Sequence, residues 1–221
     1  MEAIIQPQQK APELFKSKFL NALTWSHPAL IFLMYGLISS AMIYTAITRF
    51  ELSSVTVILL AVSGVFIWTL AEYLMHRFMY HDHPDASYDK GLRYVFHGIH
   101  HQYPNDSSKV VLPPVPSLGI AAIFFGLFYL VLGVNALAFS PGFIMGYSIY
   151  SSIHYIVHKY PSPKRFNFWW KHHTIHHFQQ HDRAFGMSTP LWDYVFGTMP
   201  ERNRKTIKVI VAKKNKENQT L

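Results

Sequence analysis

The sequence predicts an all-α fold of four transmembrane helices joined to a helical cap. Three observations carry the prediction. Half of the 221 residues are hydrophobic and only 14% are charged, against about 25% charged in soluble domains. Apolar runs of about 20 residues recur, long enough to cross about 30 Å of hydrocarbon at about 1.5 Å per residue. The 14 histidines collect at a few tight spacings beside those runs.

Residues 1–24 read as a basic leader, with an amphipathic piece from Leu14 to Leu23 suited to a membrane surface. Their polar start, interrupted by Pro7 and Pro12, does not read as a cleavable signal peptide. The first spanning run is Ala29 to Thr48, entered through Ser26-His27-Pro28, since proline suits a helix start. The second is Val55 to Met75 and runs straight into His76; the link from Arg49 to Ser54 is short enough for a turn, so the pair reads as a helical hairpin. Residues 76–113 are polar. A third run, Ser117 to Leu137, and a fourth, Pro141 to Val157, form a second hairpin turning near Ala138 to Pro141. The fourth carries Gly142, Gly146, Ser148, Ser151, Ser152 and His154, so it packs against protein more than lipid. A polar, basic tail follows, of which 201–221 lies beyond the last motif. Core helices of a soluble bundle would be the alternative, but charge is too scarce within runs of this length.

Charge orients the bundle. Of 20 Lys and Arg, only Arg49 lies in a hairpin turn. The leader, the middle segment and the tail therefore share the cytoplasmic face by the positive-inside rule. The net charge of +8 fits an anionic membrane surface or an acidic partner. Absence of cysteine removes disulfides, thiolate ligands, iron–sulfur clusters and a catalytic thiol.

The same topology gathers the histidines at one membrane face. His76 and His81 stand five apart, which is not one α-helical face, so the helix ends or distorts between them. His97, His100 and His101 stand at i, i+3, i+4; His154 and His158 at i, i+4; His173, His176 and His177 again at i, i+3, i+4. Neutral imidazole is the commonest protein metal ligand. These ten exceed one mononuclear site and suit two metals with five ligands each. The fold prediction is thereby completed: the cytoplasmic helical cap holds a histidine-rich dinuclear metal site. His27, His83 and His181 read as surface or structural histidines, and His172 stays undecided. All-nitrogen ligation admits iron, zinc, copper or nickel. A site at the membrane edge suits oxygen chemistry on a lipid chain. A metal carrier or transporter is the rival class, but it would need ligands at mid-membrane on several spans, and only His154 approaches that.

The ordered blocks HX4H, HXXHH, HX3H and HXXHH resemble the fatty acid hydroxylase superfamily. MHRFMYH, HGIHHQYPNDSSKVVLPPV and HHTIHHFQQHDRAFGMSTPLWDYVFGT look like its fatty acid 2-hydroxylase (sphingolipid alpha-hydroxylase) branch. The likeness covers roughly residues 60–200; with the first spanning run, residues 25–200 are expected to form the membrane domain. It implies hydroxylation at C2 of a fatty acid, sphingolipid or ceramide-type lipid, with O2 as co-substrate and two electrons at a dinuclear metal centre. Two iron ions are expected, because zinc has no redox chemistry, and overexpressed protein is expected to trap zinc, which binds such sites more tightly than ferrous iron. Sterol, carotenoid or alkane hydroxylation or desaturation is the alternative within the superfamily. A leader of 24 residues is too short for the fused cytochrome b5 of many eukaryotic members, so a separate carrier, a cytochrome b5 or ferredoxin with its reductase, is expected; nucleic acid is not. The branch usually has Tyr-Asp before its third block, where this chain has Tyr150-Ser151. Glu72, Asp106, Tyr150 and Asp193 are the candidates to support the metal ligands. Tyr80, Tyr94, Phe96, Tyr155, Trp169 and Trp170 would line an acyl tunnel or an interfacial belt. A bacterial inner membrane or the endoplasmic reticulum would house the protein.

Overall fold

The computed structural model describes residues 2–5, 9–81, 91–205 and 208–211; His83 lies outside them. A short strand, β1 (Glu2–Ile5), precedes α1 (Lys18–Ala22), and then come two long helices, α2 (Pro28–Phe50) and α3 (Ser54–Leu74). Pro28 occupies the first turn of α2, and the His27 ring nitrogen accepts from the Ala29 N–H. This is the structural role expected for His27. Glu51, in the left-handed region at φ 53°, ends α2, and Ser53 caps α3 by accepting from the Thr56 N–H at 3.2 Å.

α3 does not stop at Leu74. It continues as a π-helical turn, Met75–Tyr80. The i→i+5 bonding of a π turn brings residues five apart onto one face. The distortion expected between His76 and His81 therefore aligns these two histidines. Two short helices, α4 (Gly91–Arg93) and α5 (Ile99–Gln102), flank a second π turn, Tyr94–Gly98.

Pro114–Lys159 is a single apolar stretch of 46 residues, and Pro28–Phe50 and Ser54–Tyr80 are likewise long and apolar enough to cross a membrane. The 46-residue stretch is broken into α6 (Pro114–Leu132) and α7 (Ala136–Lys159) at Gly133–Asn135. The break falls earlier than the expected turn near Ala138 to Pro141. Gly133 adopts φ 56°, ψ −135°, open to a residue without Cβ, while Pro141 sits inside α7. Proline is tolerated within a membrane helix when neighbours satisfy the freed groups.

Aromatic pairs set the helix directions. Phe124 meets Phe143 and Phe128 meets Phe139, so α6 and α7 run antiparallel. Tyr35 meets Tyr147, and Ser39 donates to the Pro141 carbonyl, so α2 opposes α7. α3 runs parallel to α7, because Ala61 packs at Gly142 and Trp68 at Gly146. A Cβ at Gly142 would overlap the Ala61 carbonyl, and one at Gly64 the Phe139 carbonyl. These glycines let two backbones touch. The start of α2, the end of α3, the start of α6 and the end of α7 consequently share one end of the bundle, the end that carries the histidines.

The opposite surfaces are apolar and open. Leu37, Val55, Leu130 and Val131 are 65%, 66%, 83% and 83% exposed, a display suited to lipid. Beyond the bundle lie α8 (Phe168–Phe178), α9 (Leu191–Val195) and β2 (Lys208–Val211). β2 pairs in parallel with β1. This four-residue pairing joins the two ends of the chain and departs from a purely α-helical reading.

Candidate metal centre

The ten histidines singled out by spacing converge as two groups of five. His76, His81, His97, His101 and His176 form one, and His100, His154, His158, His173 and His177 the other; within each group one ring nitrogen per residue lies within 4.8 Å of all the rest. The two HXXHH blocks divide between the groups. Each gives its i and i+4 residues to one group and its i+3 residue to the other. The rings of His101 and His177, from opposite groups, stack at 4.0 Å and 9°.

His97 is the hub of the first group. Its Nε2 lies 3.1 Å from that of His76, 2.9 Å from that of His81 and 2.8 Å from that of His101. A neutral imidazole nitrogen has one hydrogen or one lone pair, so three such approaches are not three hydrogen bonds. Two ligands at right angles, each about 2.0–2.1 Å from a metal, stand about 2.9 Å apart. The spacings match that edge. His173 is the second hub, with His154 at 2.9 Å and His158 at 2.8 Å. Burial, reinforced by neighbouring imidazoles, holds the pKa values of His97, His100, His101, His173 and His177 well below 6.5, and that of His176 likewise. The rings are thereby kept neutral, the form that binds a cation.

What orients the rings was only partly legible in the sequence. His76 Nδ1–H donates to the Phe185 carbonyl at 2.6 Å, and His176 Nδ1–H to the Arg183 carbonyl at 2.8 Å. A carbonyl only accepts, so each Nε2 presents its lone pair inward. Both braces serve the first group. The carboxylates expected to support the ligands act one step back, on the loop that carries these carbonyls. Glu72 accepts from the Met187 and Ser188 N–H groups and the Ser188 hydroxyl. Asp193 accepts from the Phe185 and Gly186 N–H groups at 2.9 and 2.8 Å, from the Thr198 hydroxyl at 2.7 Å and from His172 Nε2 at 3.1 Å. Burial pushes the Asp193 carboxyl up, but hydrogen bonds from His172, Gly186, Thr198 and Phe185 outweigh it and hold the pKa below its usual value. His172 thus belongs to the loop support and not to either group. A loop held by its backbone leaves no motif, so only the acids, Glu72 and Asp193, could have signalled it.

Asp106 serves elsewhere: it accepts from the Ala11 N–H at 2.9 Å and from Ser108. Tyr150 stacks on His154, ring centres 5.5 Å apart. His181 donates back to the His177 carbonyl at 2.9 Å and lies outside both groups.

Two openings reach the histidines. An apolar cleft of about 820 Å³, mouth included, ends on His76, His97 and His100, and its walls include Trp68, Tyr80, Phe96, Phe124, Phe143 and Tyr150. Of the six aromatic residues expected at a tunnel, Tyr80 and Phe96 line it, whereas Tyr94, Tyr155, Trp169 and Trp170 do not. A more polar pocket touches the second group alone, at His158, His173 and His177, beside Asn105 and Thr174.

The fatty acid hydroxylase family model matches residues 61–198. Fatty acid 2-hydroxylase of Macaca fascicularis is 41% identical over 147 residues, which are 63% of this chain and 39% of that protein. Dihydroceramide fatty acyl 2-hydroxylase FAH2 of Arabidopsis thaliana is 30% identical over 86% of this chain and 81% of its own length. The structure of full-length scs7p, in which only the hydroxylase domain is visible, superposes with a TM-score of 0.77 at 28% identity, covering 90% of this chain and 75% of the other. The match thus spans about two-fifths of the mammalian relative.

Proposed function

The chain belongs to the fatty acid hydroxylase family, and from that premise we propose that it is a membrane-bound di-metal oxygenase hydroxylating a fatty acyl chain at C2 of a fatty acid, sphingolipid or ceramide. The observation that carries this reading is the apolar cleft ending on His76, His97 and His100, which draw on both groups. Its walls are mostly apolar, as an acyl chain requires.

The ten histidines would hold two metals, one per group. Iron, when bound, would supply the O2-activating redox chemistry that zinc lacks. The net reaction turns C–H, O2, two electrons and two protons into C–OH and water. The chain's own residues do the rest. The histidines fix two positions at the polar end of the cleft, the Phe185 and Arg183 carbonyls hold the first group's tautomers, and the apolar walls align the substrate and exclude water. Electrons come from a cytochrome b5- or ferredoxin-type carrier. Purified protein holding zinc in place of iron would be inactive, and full turnover without iron would refute the choice of metal.

The antiparallel order of α2, α3, α6 and α7 supports four crossings, with Pro114–Lys159 crossing twice. The concentration of Lys and Arg at the histidine end supports a cytoplasmic face, in a bacterial inner membrane or the endoplasmic reticulum. Residues 25–200 make the membrane domain, 1–24 a leader and 201–221 a tail.

Expression in a host without 2-hydroxy acyl lipids, followed by lipid mass spectrometry, tests the activity. One added oxygen at C2, absent with His173→Ala and with His100→Ala, is expected. No such product with iron and a reductase supplied would redirect the assignment to sterol, carotenoid or alkane substrates, with Ser151 the first residue to examine.

A further inference from the structure

We propose that Phe124 and Phe143 form a stop that limits the length of acyl chain the cleft accepts, and that Ala121 sets the free space just above it. The proposal rests on the acyl-hydroxylase reading and assigns residues to its length selectivity.

The lining of the cleft ends at Trp68 on α3, Phe124 on α6 and Phe143 on α7, with Tyr35 of α2 about one turn nearer the histidines, beside Tyr147. Below them aromatic rings fill the space between α3, α6 and α7. Phe143 packs against Trp68, Phe124 and Phe128 with ring centres 5.2, 4.9 and 4.9 Å apart, and Phe128 packs on Phe139 at 4.8 Å. At the same level Gly64 and Gly142 bring the α3 and α7 backbones into contact. No chain continues through such a layer.

The other end of the cleft is chemical. His76, His97 and His100 close it. Phe143 stands eleven positions before His154, about 16 Å along the helix, and the His154 ring meets that of His100 at 4.6 Å. A chain whose reacting carbon is held at the histidines therefore measures its length against the two phenylalanines. The Tyr35 hydroxyl near the deep end is engaged, donating to the Ser117 hydroxyl at 3.1 Å. What remains there, Ile120, Ala121, Phe124, Phe143 and Ile144, is apolar and suits a methyl terminus.

Phe124 is half-buried and packs on Phe128 and Phe143, whereas Phe143 is 2% exposed and belongs to the core, so Phe124 is the position to open. Ala121 precedes Phe124 by one turn on the same wall. The test expresses the full chain, Phe124→Ala and Ala121→Leu in one host with mixed acyl lengths, and reads the chain-length distribution of 2-hydroxy products. Phe124→Ala is expected to raise the ratio of longer to shorter products about tenfold, the discrimination one methylene carries in an apolar pocket. Ala121→Leu is expected to move the ratio the opposite way by a similar factor. An unchanged distribution in both variants at normal product levels overturns the proposal, as does a shift of both in the same direction. Should Phe124→Ala fail to accumulate, Ala121→Leu decides alone. A wild-type chain that makes no 2-hydroxy lipid at all is a different failure, and strikes the parent reading.

Discussion

The two histidine groups are built from the same donors and face different surroundings. Each holds five imidazoles from three separated segments, centred on one hub, His97 or His173. The first group contributes two of the three histidines at the apolar cleft, and the loop carbonyls of Phe185 and Arg183 brace it. The second touches the polar pocket beside Asn105 and Thr174. Identical ligands thus acquire different access and different support. Environment, and not donor type, distinguishes the two positions.

Removing a hub should give the largest effect. His97→Ala and His173→Ala are each expected to lower metal content from about two ions per chain to about one and activity by more than about 100-fold, since even outer partners of a ligand cost about 10–100-fold. Elemental analysis of the purified chains reads the count. Loss of both metals from either variant would show that the groups are not independent.

Weakening the brace should separate the groups next. Asp193→Asn loosens the loop that presents the Phe185 carbonyl, and is expected to reduce affinity of the first group about 10–100-fold while sparing the second. Stepwise metal titration would reveal one weakened site of two; two equally weakened sites would contradict the loop's assignment to the first group.

Access makes a subtler prediction. A hydrophilic chelator should extract one metal several-fold faster than the other, because only the second group meets the polar pocket. Thr174→Trp should slow that faster phase alone. A single extraction rate, unaltered by the substitution, would remove the distinction in access.

Acid acts on both groups and should give the smallest difference between them. The folded-state pKa values of His97, His100, His101, His173, His176 and His177 lie below 6.5, while unfolded histidine titrates near about 6.5. Below that pH the unfolded chain binds protons that the folded chain refuses, so stability falls as pH falls. Melting temperature should drop between pH 7.5 and 5.5, and metal should begin to leave below about pH 6. A flat melting profile, or full metal occupancy at pH 4, would argue against neutral, metal-holding imidazoles.

Much of this molecule is determined by the sequence alone, for a local reason. Length and apolar composition specify helices long and apolar enough to cross a membrane, and spacing picks out the ten histidines of the two groups while setting His27 and His181 aside. The turn between α6 and α7 is expected near Ala138 to Pro141, yet Pro141 sits inside α7 and Gly133, able to take φ 56°, is where the chain turns. Only the tertiary structure decided which histidine joins which group. His176 sits beside His177 in the chain, yet its Nε2 lies 3.1 Å from that of His81, 95 residues away. A π turn, invisible to α-helical periodicity, makes His76 and His81 neighbours. A loop held by Glu72 and Asp193 supplies backbone carbonyls, which carry no residue signature, to aim the rings. Spacing places side chains on a face; the direction of each ring and the point where five of them meet depend on segments brought together by folding.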